Sequence, residues 1–211
     1  IAGMRQSVSQ MRMQRIDKLF APLPRIVRDL AQDLGKKVRF ATSGGEVELD
    51  REMMENIRDP LIHIVRNAID HGIEAPGDRA AAGKDITATI MVSARQSGNQ
   101  IEIEVRDDGR GLSPDALVQK AISARILSAA DARALGSREK LDLIFRAGFS
   151  TAAKITSISG RGVGMDIVKA NVEKIGGVVE LRNEEGRGLT ILLRVPMTLT
   201  IISGLMVRAA G

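Results

Sequence analysis

Both histidines of the 211-residue chain fall in one stretch, Asp59 to Gly72, together with an amide and a carboxylate at helical spacing. His63, Asn67, Asp70 and His71 recur at i, i+4, i+7 and i+8, so a helix gathers them into one narrow arc. Leu61, Ile64, Val65 and Ala68 fall on another side and suit a core. Imidazole, amide and carboxylate are ligand-type groups, whereas a solvated helix face is usually rich in Lys and Glu. The stripe is either the wet side of a packed helix or the wall of a site. Asp59 can cap this helix, Pro60 fits its first turn and Gly72 can end it.

Two further signals bear on that choice. Gln100 to Asp107 alternates cleanly, with Ile101, Ile103 and Val105 on one face, and the next position on that face is Asp107. A carboxylate is thereby aimed inward, and Gly109-Arg110-Gly111 breaks the strand at once. Asp107 is a turn cap on one reading. On the other, the glycines let a flat ligand approach the backbone beside the carboxylate. The third signal is Gly160-Arg161-Gly162-Val163-Gly164-Met165, which opens a helix with Met165, Val168, Val172 and Ile175 on one face. Glycines before a helix start form either a plain loop or a nest of N–H groups, backed by the helix dipole, that suits phosphate. Met165 stands where a dinucleotide fingerprint requires glycine. Asp78 and Asp85 stand where a P-loop around Gly83-Lys84 requires glycine and Ser or Thr, so the P-loop is discarded.

The elements that must position these groups are legible in outline. Residues 1–20 carry Ile1, Met4, Val8 and Met11 at spacings of three and four, the seam of a leading helix or of the tail of a dimerising hairpin. Pro24 to Gly35 reads as an amphipathic helix bearing Ile26, Val27, Leu30, Ala31 and Leu34. Lys37 to Ser43 and Glu46 to Asp50 read as a hairpin across Gly44-Gly45, and Asp50 caps a helix to Arg58. Ile73 to Asp85 reads as a loop. Thr87 to Arg95 pairs with Gln100 to Asp107. Helices follow from Ser113-Pro114 to Ser123, from Ser128 to Leu135, and from a Ser137 cap to Phe145. The segment from Ser150 to Gly160 is small, polar and unpatterned, which reads as a mobile loop. Val178 to Asn183 pairs with Leu189 to Val195, and a further β segment begins at Met197.

Composition narrows the function classes. Hydrophobic residues make up 44% of the chain, enough for a sizeable core. Aromatics are 2%, which makes base-stacking platforms hard to assemble, and the 31 basic and 26 acidic residues are interleaved, which argues for a mildly polyanion-tolerant surface more than for a DNA-binding stripe, so no nucleic-acid partner is expected. No apolar run reaches membrane-spanning length, and direct membrane insertion is not expected. The absence of cysteine removes thiol chemistry and thiolate metal sites and is compatible with a cytoplasmic location.

Taken in this order, His63 and Asn67 on a helix, Asp107 with Gly109 and Gly111, and Gly160 to Gly164 resemble the N, G1 and G2 boxes of the ATPase superfamily that includes gyrase, the Hsp90 chaperones and histidine kinases. Phe145 and Phe149 stand for the F box. Leu61 to Glu74, Asp107 to Gly111, Phe145 to Thr151 and Gly160 to Val168 resemble the catalytic domain of the chemotaxis histidine kinase CheA family.

That resemblance implies a two-layer α/β sandwich of the Bergerat type, with helices on one face of a mixed sheet. It implies the end of a helical dimerisation domain at 1–22, an ATP-binding kinase domain at 23–196 and the start of a CheW-like regulatory domain at 197–211. ATP and Mg²⁺ would be the cofactors. Asp107 would accept a hydrogen bond from the adenine amino group, with Gly111 leaving room for the ring and Ile69 and Met165 sandwiching it. Asn67, with His63, would hold Mg²⁺. Gly109, Gly160, Gly162, Gly164, Arg66, Asp70 and His71 would complete the nucleotide site, and Ser150, Thr151 and Lys154 would close over the γ-phosphate. His63 stands where the hydrolysing branches and most sensor kinases carry glutamate and where the CheA family carries histidine, a less secure water activator, which favours phosphoryl transfer to a histidine on a separate phosphotransfer domain. The resemblance further implies a homodimer in the full-length protein, a CheW-like adaptor, a chemoreceptor array and, indirectly, a response regulator. An ATP-hydrolysing conformational switch and a nucleotide-dependent scaffold are the alternatives.

Overall fold

The computed structural model describes residues 12–149 and 164–197. In chain order the elements are β1 (Met13–Arg15), α1 (Asp17–Phe20), α2 (Leu23–Asp33), β2 (Lys37–Ser43), β3 (Glu48–Asp50) and α3 (Arg51–Asn67). A π-turn (Ala68–Gly72) leads to α4 (Pro76–Ala81), β4 (Thr87–Ser97) and β5 (Gln100–Asp107). Then come α5 (Pro114–Ser123), α6 (Ala129–Ala134), α7 (Ser137–Asp142) with a 3₁₀ turn (Leu143–Phe145), α8 (Met165–Lys174), β6 (Val178–Glu184) and β7 (Gly188–Pro196).

Five strands form a mixed sheet in the order β2-β4-β5-β7-β6, in which only the β2–β4 pair is parallel. Alternation explains which side the helices cover. Ala88, Ile90 and Val92 of β4, Ile101, Ile103 and Val105 of β5, and Ile191, Leu193 and Val195 of β7 share one face and one core with Leu61, Ile64, Val65, Val168 and Val172 of α3 and α8. The opposite face carries a cross-strand ladder, Arg95 to Glu102 to Arg194 to Glu180. Hydrogen bonds from Arg194 and then Arg95 outweigh burial and hold the Glu102 carboxyl below its ordinary range. The expected sandwich with helices on one sheet face is therefore the observed fold.

Several local expectations are corrected. Lys37–Ser43 and Glu46–Asp50 do not form a hairpin: β2 pairs in parallel with β4, and β3 pairs with β1 in a separate two-stranded sheet. Gly44, at φ +75°, turns the chain away so closely under β4 that a Cβ there would lie 1.9 Å from the Ala94 carbonyl oxygen. The helices read as ending at Arg58 and starting at Asp59 are one, α3, capped by Asp50, whose side chain accepts from Glu52 N at 2.8 Å. Pro60 lies inside it. A proline in a helix interior costs about 3 kcal/mol. Met53, Met54, Ile57, Leu61, Ile64 and Val65 are buried on both sides of it, each contributing about 1.5–3 kcal/mol, so packing wins over the local break.

The segment read as a loop over 73–85 contains α4, six residues long with Pro76 in its first turn. The helix starting at Ser137 has Gly136, not Ser137, at its N-cap, where Glu139 accepts from Gly136 N at 2.7 Å. The leading-helix positions Ile1, Met4, Val8 and Met11 lie outside the described residues, and Met13–Arg15 beyond them is a strand. Most of the segment from Met197 onward also lies outside them.

Candidate nucleotide site

The strand β5 delivers Asp107 to the helix side of the sheet, as its alternation requires. Asp107 is 6% exposed. Its Oδ1 accepts from Gly109 N at 2.9 Å and from Leu189 N at 3.4 Å. Its Oδ2 has no hydrogen-bond partner among the described residues. The carboxylate is thus fixed through one oxygen and offers the other.

Burial pushes the Asp107 carboxyl up to about 6, against the opposing pull of the two N–H groups. Unfolded, it titrates near the ordinary 3.8. The folded chain therefore holds the extra proton between about pH 4 and 6, and its stability falls as pH rises through that window. Above it the loss is constant, about 3 kcal/mol. Denaturant unfolding across this window should show stability declining with rising pH more steeply in the wild type than in Asp107→Asn, where the depressed His63, Glu74 and Glu102 groups contribute with the opposite sign.

The loop after Asp107 is built by close backbone approach. A Cβ on Gly109 would lie 2.2 Å from the Gly72 carbonyl oxygen, to which Arg110 N donates at 2.9 Å. Gly111, at φ +67°, faces the β6–β7 turn, where a Cβ would lie 2.7 Å from the Glu184 carbonyl oxygen. Room for backbone packing, rather than open space for a ring, is what this glycine supplies in the fold. Asn183 clasps the same loop: its Oδ1 accepts from Leu112 N at 2.7 Å and its Nδ2 donates to Leu112 O at 2.8 Å.

On α3, Leu61, Ile64 and Val65 are buried, while His63 and Asn67 are half-buried on the adjoining arc. The polar stripe splits at the π-turn, where Ile73 N donates to Ala68 O at 2.8 Å. Asp70 and His71 are exposed there and lie 3.4 Å apart, and Arg66 is exposed. Lys36 Nζ donates to the Ile69 and Asp70 carbonyls at 2.6 and 2.8 Å and so caps the turn from the other side. Burial, then the Arg66 and His71 charges, lower the His63 pKa, against the raising effect of Asp166. Its imidazole is neutral at physiological pH.

α8 packs against α3 and starts at Gly164, with Met165 buried beneath it and Asp166 in the first turn. α3 and α8 thus carry His63, Asn67, Gly164 and Met165 on packed elements, and the π-turn that follows α3 lies against Asp107 and Gly109 through Gly72, while Gly111 faces the β6–β7 turn. Ser150, Thr151, Lys154, Gly160 and Gly162 lie outside the described residues, as does the expected mobile loop. Phe149 is buried, with Lys120 Nζ 4.9 Å from its ring centre. Among the described residues no group of three or more His, Cys, Asp or Glu could hold a metal. The donor set fits only a cation that takes most of its ligands from phosphate and water.

Sequence reasoning missed Asn183, Glu74, Arg79 and Lys84. Asn183 was within reach of it, because it continues the inward positions Val179 and Leu181 of β6.

The fold defines a class. It matches the catalytic domain of the histidine kinase ThkA with a TM-score of 0.54 at 16% identity, covering 88% of this chain and 94% of that one. The histidine kinase domain of the Erythrobacter litoralis blue-light activated kinase matches with a TM-score of 0.51 at 17% identity, covering 88% and 68%. Residues 56–199 match the family of histidine kinase-, DNA gyrase B- and HSP90-like ATPases, and the chain belongs to that family. Its relatives include the sensor histidine kinase CheAY of Helicobacter pylori, 47% identical over 95% of this chain and 25% of that protein. CheA of Salmonella typhimurium is 45% identical over 99% of this chain and 31% of that protein. The chain thus spans a quarter to a third of the length of these relatives.

Proposed function

We propose that this chain is the MgATP-binding catalytic domain of a CheA-type histidine kinase, which transfers the γ-phosphoryl group to a histidine on a separate phosphotransfer domain. The observation that carries the reading is the Asp107 carboxylate, buried, held through Oδ1 and open at Oδ2. An adenine amino group presents a donor to such an acceptor, and an ionised acceptor makes that bond charge-assisted. On this reading Met165 and Ile69, both buried, would back the ring from the core. Gly164 caps α8, whose first-turn N–H groups suit phosphate, and on this reading Gly160 and Gly162 would add to them. Ser150, Thr151 and Lys154 would close over the γ-phosphate.

Asn67 would hold Mg²⁺ through its amide oxygen, and the ion would supply charge neutralisation to the phosphates. His63, neutral and one helical turn earlier, suits a proton acceptor from the incoming histidine better than it suits a ligand for a hard cation. Neither His63 nor His71 is left over as the phosphorylated residue, so the acceptor belongs to another domain. We assign 23–196 to the kinase domain, 1–22 to the end of a dimerisation segment that packs onto it through β1 and the buried Ile16, Leu19 and Phe20, and 197–211 to the start of a CheW-like domain. On this reading the partners are a CheW-like adaptor, a chemoreceptor and, through the acceptor domain, a response regulator.

Calorimetric titration with ATP tests the binding half. Wild-type affinity should rise on adding Mg²⁺, and Asn67→Ala should abolish that increment while retaining metal-free binding. An Asn67→Ala protein with the full Mg²⁺ response would remove the metal role. His63→Gln should lower the transfer rate more than it lowers ATP affinity.

A further inference from the structure

Arg79 and Lys84, in a segment that carries no recognised motif, converge on the peptide group behind Asp107. Arg79 is 1% exposed. Its Nε donates to Asp85 O at 2.6 Å, Nη1 to Glu74 Oε2 at 3.0 Å and to Asp108 O at 3.1 Å, and Nη2 to Asp108 Oδ2 at 3.1 Å. Lys84 Nζ uses all three of its protons: on Glu74 Oε1 at 2.7 Å, Asp108 O at 3.1 Å and Gly109 O at 2.7 Å. Asp108 Oδ1 accepts from Thr89 N at 3.0 Å, tying the cluster to β4. Two cations thus face two carboxylates, and Arg79 Nε, one Nη1 proton and two Lys84 protons go to backbone carbonyls.

The carbonyl of Asp108 belongs to the same peptide group as the N–H of Gly109. That N–H is the one that holds Asp107 Oδ1 at 2.9 Å. Two cationic donors on the oxygen of a peptide polarise it and strengthen its N–H as a donor. The turn is therefore gripped on its carbonyl side by Arg79 and Lys84 and on its amide side by Asp107. Burial pushes the Glu74 carboxyl up, but the Lys84 and Arg79 hydrogen bonds outweigh it and keep Glu74 ionised between the two cations.

We infer that Arg79 and Lys84 are positioning residues for nucleotide binding: through the Asp108–Gly109 peptide they orient and fix the Asp107 carboxylate whose free oxygen meets the base. The inference rests on the proposed adenine contact of Asp107. It assigns a role in binding to residues that touch no nucleotide, and it explains why a buried charge cluster, which contributes little net stability, is placed here.

Lys84 is partly exposed, so Lys84→Met removes the donors and keeps the stem. The test uses the ¹⁵N-labelled 211-residue chain, with Lys84→Met and Lys84→Arg compared with the wild type. In nucleotide-free Lys84→Met the Gly109 amide proton should move upfield as its donor weakens. ADP and adenosine should each bind about tenfold more weakly, by the same factor, the loss expected for one weakened charge-assisted bond. Lys84→Arg should recover most of both effects. Should Lys84→Met fail to fold, Lys84→Gln replaces it with the same expectations. An unmoved Gly109 amide overturns the inference, whatever the affinity does. A moved amide with unchanged ADP and adenosine binding also overturns it, because the clamp then does not govern binding; loss of ADP affinity in Asp107→Asn beside it would leave the base contact of Asp107 standing.

Discussion

Asp107→Asn should bind ATP and ADP alike roughly one to two orders of magnitude more weakly than the wild type, the loss of a charge-assisted hydrogen bond of about 1.5–3 kcal/mol. Geometry makes the amide a poor substitute. Gly109 N and Leu189 N both point at Oδ1, so an asparagine keeps its oxygen toward them and places its NH₂ where Oδ2 stood. A donor then faces the donor of the base. The same substitution removes a buried carboxylate and should raise stability at neutral pH, up to the limit of about 3 kcal/mol set by the titration argument. Calorimetry and denaturant unfolding on one preparation measure both. Weaker nucleotide binding with higher stability separates a site residue from a structural one. Unchanged ADP affinity would remove Asp107 from the site.

The second large effect belongs to Gly109→Ala. The new methyl would lie 2.2 Å from Gly72 O, 2.5 Å from Gly72 C and 2.9 Å from Asp107 Oδ1. Backbone must move on both sides. Overpacking of this kind costs about 3 kcal/mol, and the Asp107 acceptor is displaced with it. We expect a protein that is folded at low temperature, melts early and has no measurable ADP affinity. Gly72→Ala is the control for stability alone, since its methyl would lie beside the Asp107 carboxylate. Its methyl meets nothing nearer than 3.5 Å, so it should change stability by less than about 1 kcal/mol. Equal losses of stability from the two substitutions would contradict the packing argument.

The groups that do chemistry were more legible in the sequence than the frame that holds them. Period-two alternation places Ile101, Ile103 and Val105 inward and carries Asp107 with them, and nothing later in the fold alters that. Helical spacing likewise puts Leu61, Ile64 and Val65 inward and leaves His63 and Asn67 on the adjoining arc. Strand partners are different. The alternation of Lys37–Ser43 says which face is apolar but not which edge is filled, so a Gly-Gly turn suggested a neighbour in sequence where the fold supplies β4. Pro60 was read as a start because the local penalty of a proline is visible in a sequence while the buried contacts that offset it are not. The π-turn at Ala68–Gly72 shows why Asp70 and His71 leave the arc of His63 and Asn67: the spacing argument assumes an unbroken α-helix.

The cluster around Arg79 was invisible for a related reason. α4 has six residues, its one buried side chain is an arginine, and that arginine's partners lie as far away as Asp108. No periodicity records such a contact. Asn183 clasps a backbone 71 positions earlier, and only its inward place on β6 hints that its amide is in use.

Transfer of phosphate tests the account most directly. The chain, incubated with γ-labelled MgATP, should acquire no phosphohistidine, and its own release of phosphate should be slow. Adding a separate histidine-bearing phosphotransfer domain should label that domain with acid-labile phosphate. The rate will be low, because diffusion replaces an effective concentration that a tether raises to about the millimolar range. Brisk phosphate release with no labelling of any added acceptor domain would contradict the kinase reading and leave an ATP-hydrolysing switch in its place.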